Sequence, residues 1–500
     1  MPFPTLSELA AKSVAQGIHA GDYQLISLDS ILDKKSSNSI VRELLKLDRH
    51  TFKKLETYKN QLSITEINLR DWRLDADAVR SLSNFNLVSL DFGKLIQLGD
   101  GSSSHPFDIV LFLIRATNNH SRRSMIHLGL SKELRLIEGW EKEVSKMFPN
   151  LQSIDLSCKM FNERFQFSNF CTCFPNLLVL DISHAVYLSG LQGIKNLEKL
   201  QKLTMYDVEF DDIEGYKELT GLKNLKSLDV SSYRLQSRNS IRYMLAAGVR
   251  MEALEFLDCS WTPVTENELK TFARNHPSLK TVVAICTACD QTTISGVKML
   301  NMSSLSSFSE CLEYALSTER DVLALDFIQD VHKKLKANPG NLGNFEPRHI
   351  TNAVLFVLRE SFNQEGKFFT LQYYLESGLF EQELSTLMFS TDIPDMIELF
   401  YNVFHKYPST SFKKEYTGFM FRMLEATVNS VRPGILIPDR VLNLVTEMTV
   451  ELVRLSPWHQ NQGIRIIYQA EKWMSWEQVL TIGISSCSEE SCPGSISADY

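Results

Sequence analysis

An apolar pattern of the form Leu-x-x-Leu-x-Leu opens nine times along this chain, at Ile64, Leu87, Met125, Leu151, Leu177, Leu200, Leu225, Leu254 and Leu279. The steps between openings are 23, 38, 26, 26, 23, 25, 29 and 25 residues. Within each pattern the last two apolar positions flank an outward one, as in Ile154-Asp-Leu156, Leu180-Asp-Ile182 and Leu228-Asp-Val230. That alternation is the period of a strand with one buried face. A unit of roughly 20–29 residues cannot bury such a face by itself, so neighbouring units must stack and share one core. The constraint selects a solenoid with a parallel sheet along one side, each strand followed by a helix or loop that returns across the other.

The spacing is that of leucine-rich repeats over residues 60–292, with the 38-residue step read as a repeat carrying an insertion. Pro149, Pro175 and Pro277 each stand just before a strand, outside the hydrogen-bonded ladder, where proline is tolerated. Residues 1–50 read as a helical module. Thr5 with Glu8 has the arrangement of a capping box, and Leu6, Leu9, Ala10, Val14 and Ile18 follow the helical period up to Gly21. A second helix is predicted over 37–47, with Ile40, Val41, Leu44 and Leu45 on one side. The two helices carry more leucine than so short a piece buries within itself, and the surplus must face the first repeat or a partner.

From 303 to 480 the strand triplets stop and helical spacing takes over. Helices are predicted from a Thr318 cap to about Lys336, from Pro347 at a first turn, and over 366–378, 390–406, 413–429, 438–455 and 461–473. The fold class is therefore an α/β leucine-rich-repeat solenoid followed by an all-α, armadillo-like helical domain. Residues 484–500 are rich in serine and read as a disordered tail.

The formal charge of −8 argues against a nucleic-acid binder, which would show a basic excess. The opening residues have no basic, apolar signal-peptide pattern, and the longest apolar run, Ile109–Ile114, is far too short to span a bilayer. Nine cysteines, scattered through the repeats, suit a reducing compartment. A cytoplasmic or nuclear protein is expected, with no membrane or nucleic-acid partner. No phosphate-binding glycine loop, zinc-protease helix, nucleophile elbow or kinase set occurs, so a non-catalytic protein without cofactor or metal is expected. Cys286-x-x-Cys289 has metal-ligand spacing but lacks a second pair, and reads as small residues filling the end of a repeat.

The order of parts resembles a known family. Thr5-Leu6-x-x-x-Ala10-x-x-x-Val14 looks like the BC box by which substrate receptors of cullin-2 and cullin-5 ligases bind Elongin C, and the second helical segment occupies the place of a cullin box. A BC box, leucine-rich repeats and an armadillo-like half together resemble the zyg-eleven and ZER family of cullin-2 substrate receptors. The resemblance implies a substrate-recognition subunit of a cullin-2, Elongin B/C RING ubiquitin ligase, with protein substrates as its other partners. Thr5, Leu6, Ala10 and Val14 would meet Elongin C, and Ile40 and Leu44 would support the cullin. The apolar segment ahead of the cullin-box position, Leu25–Ile31, lacks the proline usual in the family. The family's glycine-degron pocket is carried over to no residue here.

Other readings stay open on the residues alone. The Leu6/Ala10/Val14 stripe also fits a helix face packed on the first repeat, which would leave a repeat scaffold with no ligase link. The N-terminal helices also fit an F-box-like module of a cullin-1 ligase. Asp91, Asp155, Asp181, Asp229 and Asp258 share the outward slot of their strands, and in register they form a ladder on the concave face. They read either as strand-end hydrogen-bonding groups or as a negative strip that binds a basic partner segment. Trp72 and Trp261 fit aromatic anchors or loop packing, and Asp207–Glu214 reads as a solvated loop.

Overall fold

The computed structural model of the chain describes residues 6–21, 31–47, 52–70, 76–92, 106–130, 136–161, 165–208, 210, 213–233, 239–337, 345–361, 363–380, 392–406, 410–430 and 439–471. Thr5, Trp72 and the 484–500 segment lie outside the described residues. The chain divides into two compact units, Met1–Ser303 and Ser304–Tyr500.

In the first unit ten three-residue strands form one parallel sheet in chain order. They are β1 (Glu66–Asn68), β2 (Ser89–Asp91), β3 (His127–Gly129), β4 (Ser153–Asp155), β5 (Val179–Asp181), β6 (Lys202–Thr204), β7 (Ser227–Asp229), β8 (Phe256–Asp258), β9 (Thr281–Val283) and β10 (Lys298–Leu300). The middle residues stay in register from end to end: Ile67, Leu90, Leu128, Ile154, Leu180, Leu203, Leu228, Leu257, Val282 and Met299. All ten are buried, so this row is the spine of the core. Behind it the returning segments contribute apolar side chains such as Trp140, Phe148, Phe170, Leu219 and Phe272, each buried. Nine strands coincide with the nine apolar triplets. The tenth lies beyond them, because its slots for the first and last leucine hold Gly296 and Asn301.

The N-terminal helices α1 (Leu6–Ala20) and α2 (Lys34–Leu47) belong to the same core as the sheet. Ala11, Ala15 and Ile18 of α1 are buried, together with Ile40, Val41 and Leu44 of α2. The hairpin is fastened to the first strand by polar groups as well. Buried Asn38 accepts hydrogen bonds from the Thr65 and Glu66 amides at 2.9 and 3.2 Å and donates to Thr65 Oγ1 at 2.9 Å. Leu32 bridges to Leu62 in a parallel pairing. Without such a cover, β1 would expose an unpaired edge and an open end of the core, the usual liability of a solenoid terminus.

Among its described residues the second unit is helical. Its helices are Leu305–Ser317, Asp321–Ala337, Pro347–Glu360, Gln364–Glu376, Asp392–Lys406, Thr410–Ser430, Asp439–Leu455 and Gln460–Glu471. Ser304 caps the first by accepting from the Ser307 amide at 3.1 Å, and Pro347 occupies a first turn as its fixed φ favours. Thr318 does not start a helix. Its hydroxyl donates to the Tyr314 and Ala315 carbonyls at the end of the preceding one, and Glu319 then turns left-handed at φ 58°. Gly366 allows close approach between Gln364–Glu376 and Asp321–Ala337, since a Cβ there would stand 2.7 Å from the Asp321 Cβ. Tyr374, Phe380 and Phe400 pack with ring centroids 5.8–6.2 Å apart in the interior of this unit.

Asn38→Ala is expected to lower unfolding free energy by about 1–3 kcal/mol, because it strands the buried Thr65 amide and hydroxyl. Urea denaturation of the two chains checks this; an unchanged midpoint would mean that the hairpin is not fastened through Asn38.

Candidate partner-binding surfaces

On α1 the two faces differ. Ala11, Ala15, Gly17 and Ile18 face the core, while Leu6, Leu9 and Ala10 face solvent, with Leu6 84% and Leu9 49% exposed. Val14 sits at the border, partly buried against the core. Three of the residues assigned to Elongin C therefore follow one edge of the helix, and the outer two, Leu6 and Ala10, are exposed. Ile40 and Leu44, expected to support a cullin contact, are corrected by the structure: at 3% and 0% exposure they are core side chains of the hairpin. They recur every fourth residue because that face packs inward, and their burial leaves nothing for a partner to touch. Among the described residues of and beside α2, the exposed large apolar side chains are Ile31 and Leu47, at 71% and 41%.

The carboxylate ladder forms in register but not as a solvent-facing strip. Its slot runs Asn68, Asp91, Gly129, Asp155, Asp181, Thr204, Asp229, Asp258 and Val283. Asp155, Asp181, Asp229 and Asp258 each turn back to accept the amide two residues on, from Ser157, Ser183, Ser231 and Ser260, at 2.7–2.9 Å. The turn is the short local bond that aspartate offers wherever a strand ends. Asp91, Asp155, Asp229 and Asp258 are buried and Asp181 is partly so. The assignment of these five as direct contacts for a partner is thus corrected: four are strand-end caps, and Asp91 is engaged by neighbouring side chains. Burial, with the charge of Asp155 beside it, raises the proton affinity of Asp181 above the ordinary carboxylate value.

Asp91 is held differently. Arg70, in the turn after β1, bonds Asp91 Oδ1 through Nε and a terminal nitrogen, both at 3.2 Å, and reaches Asp155 Oδ2 on β4 at 2.9 Å. His127 places Nε2 3.0 Å from Asp91 Oδ1 and Nδ1 2.7 Å from Ser153 Oγ. The guanidinium crosses the ladder where Gly129 leaves a gap; a Cβ at Gly129 would fall 1.9 Å from Asp91 Oδ1. Sequence reading missed this cluster, since Arg70, Asp91 and His127 come from three different repeats. The glycine in a slot otherwise held by aspartate or another side chain was the available signal.

The turns after the strands share a conformation that sequence reading did not connect, although it named Asp207, Trp261 and Cys286 separately. Cys158, His184, Asp207, Trp261 and Cys286 occupy one recurring position, and each is left-handed with φ between 54° and 58°. His184 Nδ1 lies 3.0 Å from Asp207 Oδ2, and its ring meets Tyr206 edge-on at 4.7 Å. The other Asp207 oxygen accepts from Ser232 Oγ and the Tyr233 amide, both at 3.2 Å. The hydrogen bond from His184 holds the Asp207 carboxyl below its ordinary value, against its partial burial. Asp207 is therefore a hydrogen-bonded turn residue rather than part of a solvated loop, and Val208 and Phe210 beyond it are buried. Trp261, at 3% exposure, packs edge-on against Tyr233 with centroids 5.8 Å apart, which leaves it no ring face for a partner.

A cavity of about 380 Å³ lies between the 136–142 turn and the Phe167–Cys173 helix, with Trp140, Lys159 and Phe165 among its walls. Burial pushes the Lys159 ammonium down to about 8, partly offset by Asp155. Cys286 and Cys289 are buried, and among the described residues no three metal-ligating side chains converge. Among the same residues no helix is long and apolar enough to cross a membrane.

No protein-family model matches the chain. It is similar to Gastrulation-defective protein 3 of Caenorhabditis elegans, 29% identical over 323 residues that make up 63% of this chain. The match spans 45% of the length of that relative. Among solved structures, the crystal structure of the yeast Rad7 and Elc1 complex covers 61% of this chain and 100% of that chain, at a TM-score of 0.23 and 12% identity. A likeness at that level carries no argument about fold or partners.

The Asp91 carboxyl sits below its ordinary value of 3.8: burial opposes its charge, but the His127 hydrogen bond and the Arg70 charge outweigh it. A depressed value in the folded state means stability present above the unfolded carboxylate pKa and lost as pH falls through the folded one. Arg70→Met is expected to raise the Asp91 pKa and to lower stability at neutral pH by roughly 1–3 kcal/mol. The deficit relative to the parent chain should shrink below about pH 4, where the carboxylates protonate. Denaturation curves across that range check both the size and the sign.

Proposed function

We propose that this chain is a substrate-recognition subunit of a RING ubiquitin ligase, joined to cullin-2 through Elongin B and Elongin C, and that it performs no chemistry itself. The observation that carries the reading is the division of α1. One face is consumed by the core, while Leu6, Leu9 and Ala10 form an apolar edge that the fold does not use. An exposed leucine flanked by a small residue suits a docking helix, since the small side chain lets a partner helix approach and the leucine enters its pocket. In this reading Thr5, Leu6, Ala10 and Val14 meet Elongin C, and the cullin contact falls to Ile31 and Leu47 in place of Ile40 and Leu44. The leucine-rich sheet then holds protein targets, the armadillo-like helices offer a surface of their own, and ubiquitin transfer follows from proximity to a loaded E2. Such a receptor works in the cytoplasm or nucleus.

The exposure of Leu6 also weakens the alternative in which the stripe packs on the first repeat. A scaffold with no ligase link, or an F-box-like receptor of a cullin-1 ligase, remains as an outcome of the test. Burying one such leucine at an interface contributes roughly 1.5–3 kcal/mol, which is a tenfold or larger change in affinity. Leu6→Ser with Ala10→Phe is therefore expected to abolish co-precipitation of Elongin C and cullin-2 while leaving the melting temperature nearly unchanged, as surface substitutions do. Ile40→Asp is the contrasting variant and should unfold the hairpin. Absence of both partners from the unmodified chain would overturn the proposal.

A further inference from the structure

We propose that the cavity between the repeats of β3 and β4 takes a tryptophan side chain from an extended segment of a protein target, whose backbone pairs with the strand edge at Met160. The inference deepens the reading of this unit as the part that holds targets, and rests on it.

Outside the main sheet the chain makes short parallel pairings, among them Phe107 with Leu136 and Met160 with Val186. In the first, the Ile137 amide donates to the Phe107 carbonyl at 3.2 Å. In the second, the Val186 amide donates to the Lys159 carbonyl at 2.9 Å and the Phe161 amide to the Val186 carbonyl at 3.1 Å. Successive residues of a paired strand direct their amides and carbonyls to opposite sides. Leu136 therefore aims its amide and carbonyl toward the repeat of β4, and Met160 aims its own back toward the repeat of β3. Among the described residues these two edges do not pair with each other. Turn length accounts for the break: four positions separate Leu156 from Met160, and Ile182 from Val186, but six separate Leu130 from Leu136. The cavity of about 380 Å³ occupies the interval, with Leu136 and Met160 both in its wall. Met160 is 41% exposed. A strand edge left open is a template for one more extended chain, which supplies the missing backbone partners.

The wall decides which side chain enters. Trp140 and Phe161 are buried there, and Phe165 stacks on Phe161 with centroids 4.2 Å apart, so a flat apolar guest meets aromatic surface. Glu138, Glu141, Lys142 and Lys159 all contribute to the same wall. Carboxylates repel an anionic guest and ammonium groups a cationic one, so neither sign is favoured. One polar atom asks for a donor: Glu141 Oε2 is buried and accepts no hydrogen bond within the chain. A shielded carboxylate oxygen without a donor is costly, and a guest that brings an N–H relieves it. Tryptophan is neutral, flat and apolar, and its indole N–H donates without needing an acceptor of its own.

The test measures fluorescence anisotropy of the full chain with labelled eight-residue peptides of alternating Thr and Val that carry Trp, Arg, Glu or Ala at one central position. The Trp peptide should bind at least tenfold more tightly than the other three. N-methylation of every second residue of that peptide should cost at least tenfold in one register and little in the other, because only one face of the strand meets Met160. Asn169→Trp, at an exposed position of the cavity wall, should fill the space and abolish binding. Glu141→Ala should weaken binding several-fold and Glu141→Gln less, since the amide keeps an acceptor. Melting curves confirm that each variant folds, and Thr172→Trp on the same wall replaces Asn169→Trp if that chain does not. No binding of the Trp peptide, equal binding of all four, an equal response to the two methylation registers, or unchanged binding by a folded cavity-filling variant overturns the proposal. Because α1 is untouched in these variants, Elongin C capture by the same proteins reports separately on the receptor reading.

Discussion

Every strand in the sheet is three residues long, too short to hold itself together, and everything else in the first unit follows from that. A strand of this length persists only if its amides and carbonyls are matched on both sides and its single inward side chain joins a continuous row. Stacking supplies both at once. The same requirement makes the ends vulnerable. At the front, the α1–α2 hairpin meets it with an apolar face and with the Asn38 amide placed against Thr65 and Glu66.

How far reading residues alone reached depends on where the information was local. Nine strands were marked because the buried slots carry apolar residues at a fixed interval. The tenth escaped because the end of the sheet relaxes that rule: with no further strand paired beyond it, Gly296 and Asn301 serve in place of leucine. In the helical unit the helix after Ser304 was missed and Thr318 was given the wrong role, since a threonine hydroxyl bonds equally well to amides that open a helix and carbonyls that close one. The aspartates were placed in the right column, but a column is not an orientation. Whether a carboxylate faces a partner or its own turn is decided by an amide two residues away.

The N-terminal helices illustrate the same limit. Their spacing announced amphipathic faces correctly, but each apolar stripe admitted two uses. Ala11, Ala15 and Ile18 packed inward on α1, leaving Leu6 and Ala10 outside, whereas on α2 it was Ile40 and Leu44 that packed. Which face packs is settled only where both helices meet one surface. Arg70, Asp91 and His127 belong to a third kind of information. They act together only because residues a repeat or more apart are brought side by side.

Arg70 has one more effect. Its guanidinium leaves the turn after β1 and ends on β4, passing over two intervening strands through the gap at Gly129. In a stack of repeats each layer ordinarily leans only on the next, and a load applied at one end peels the layers away singly. Here the first four strands share a common fastening, and the hairpin carrying α1 is anchored to the first of them. A pull applied to that hairpin is spread over a block of strands, so the front of this unit yields together rather than layer by layer.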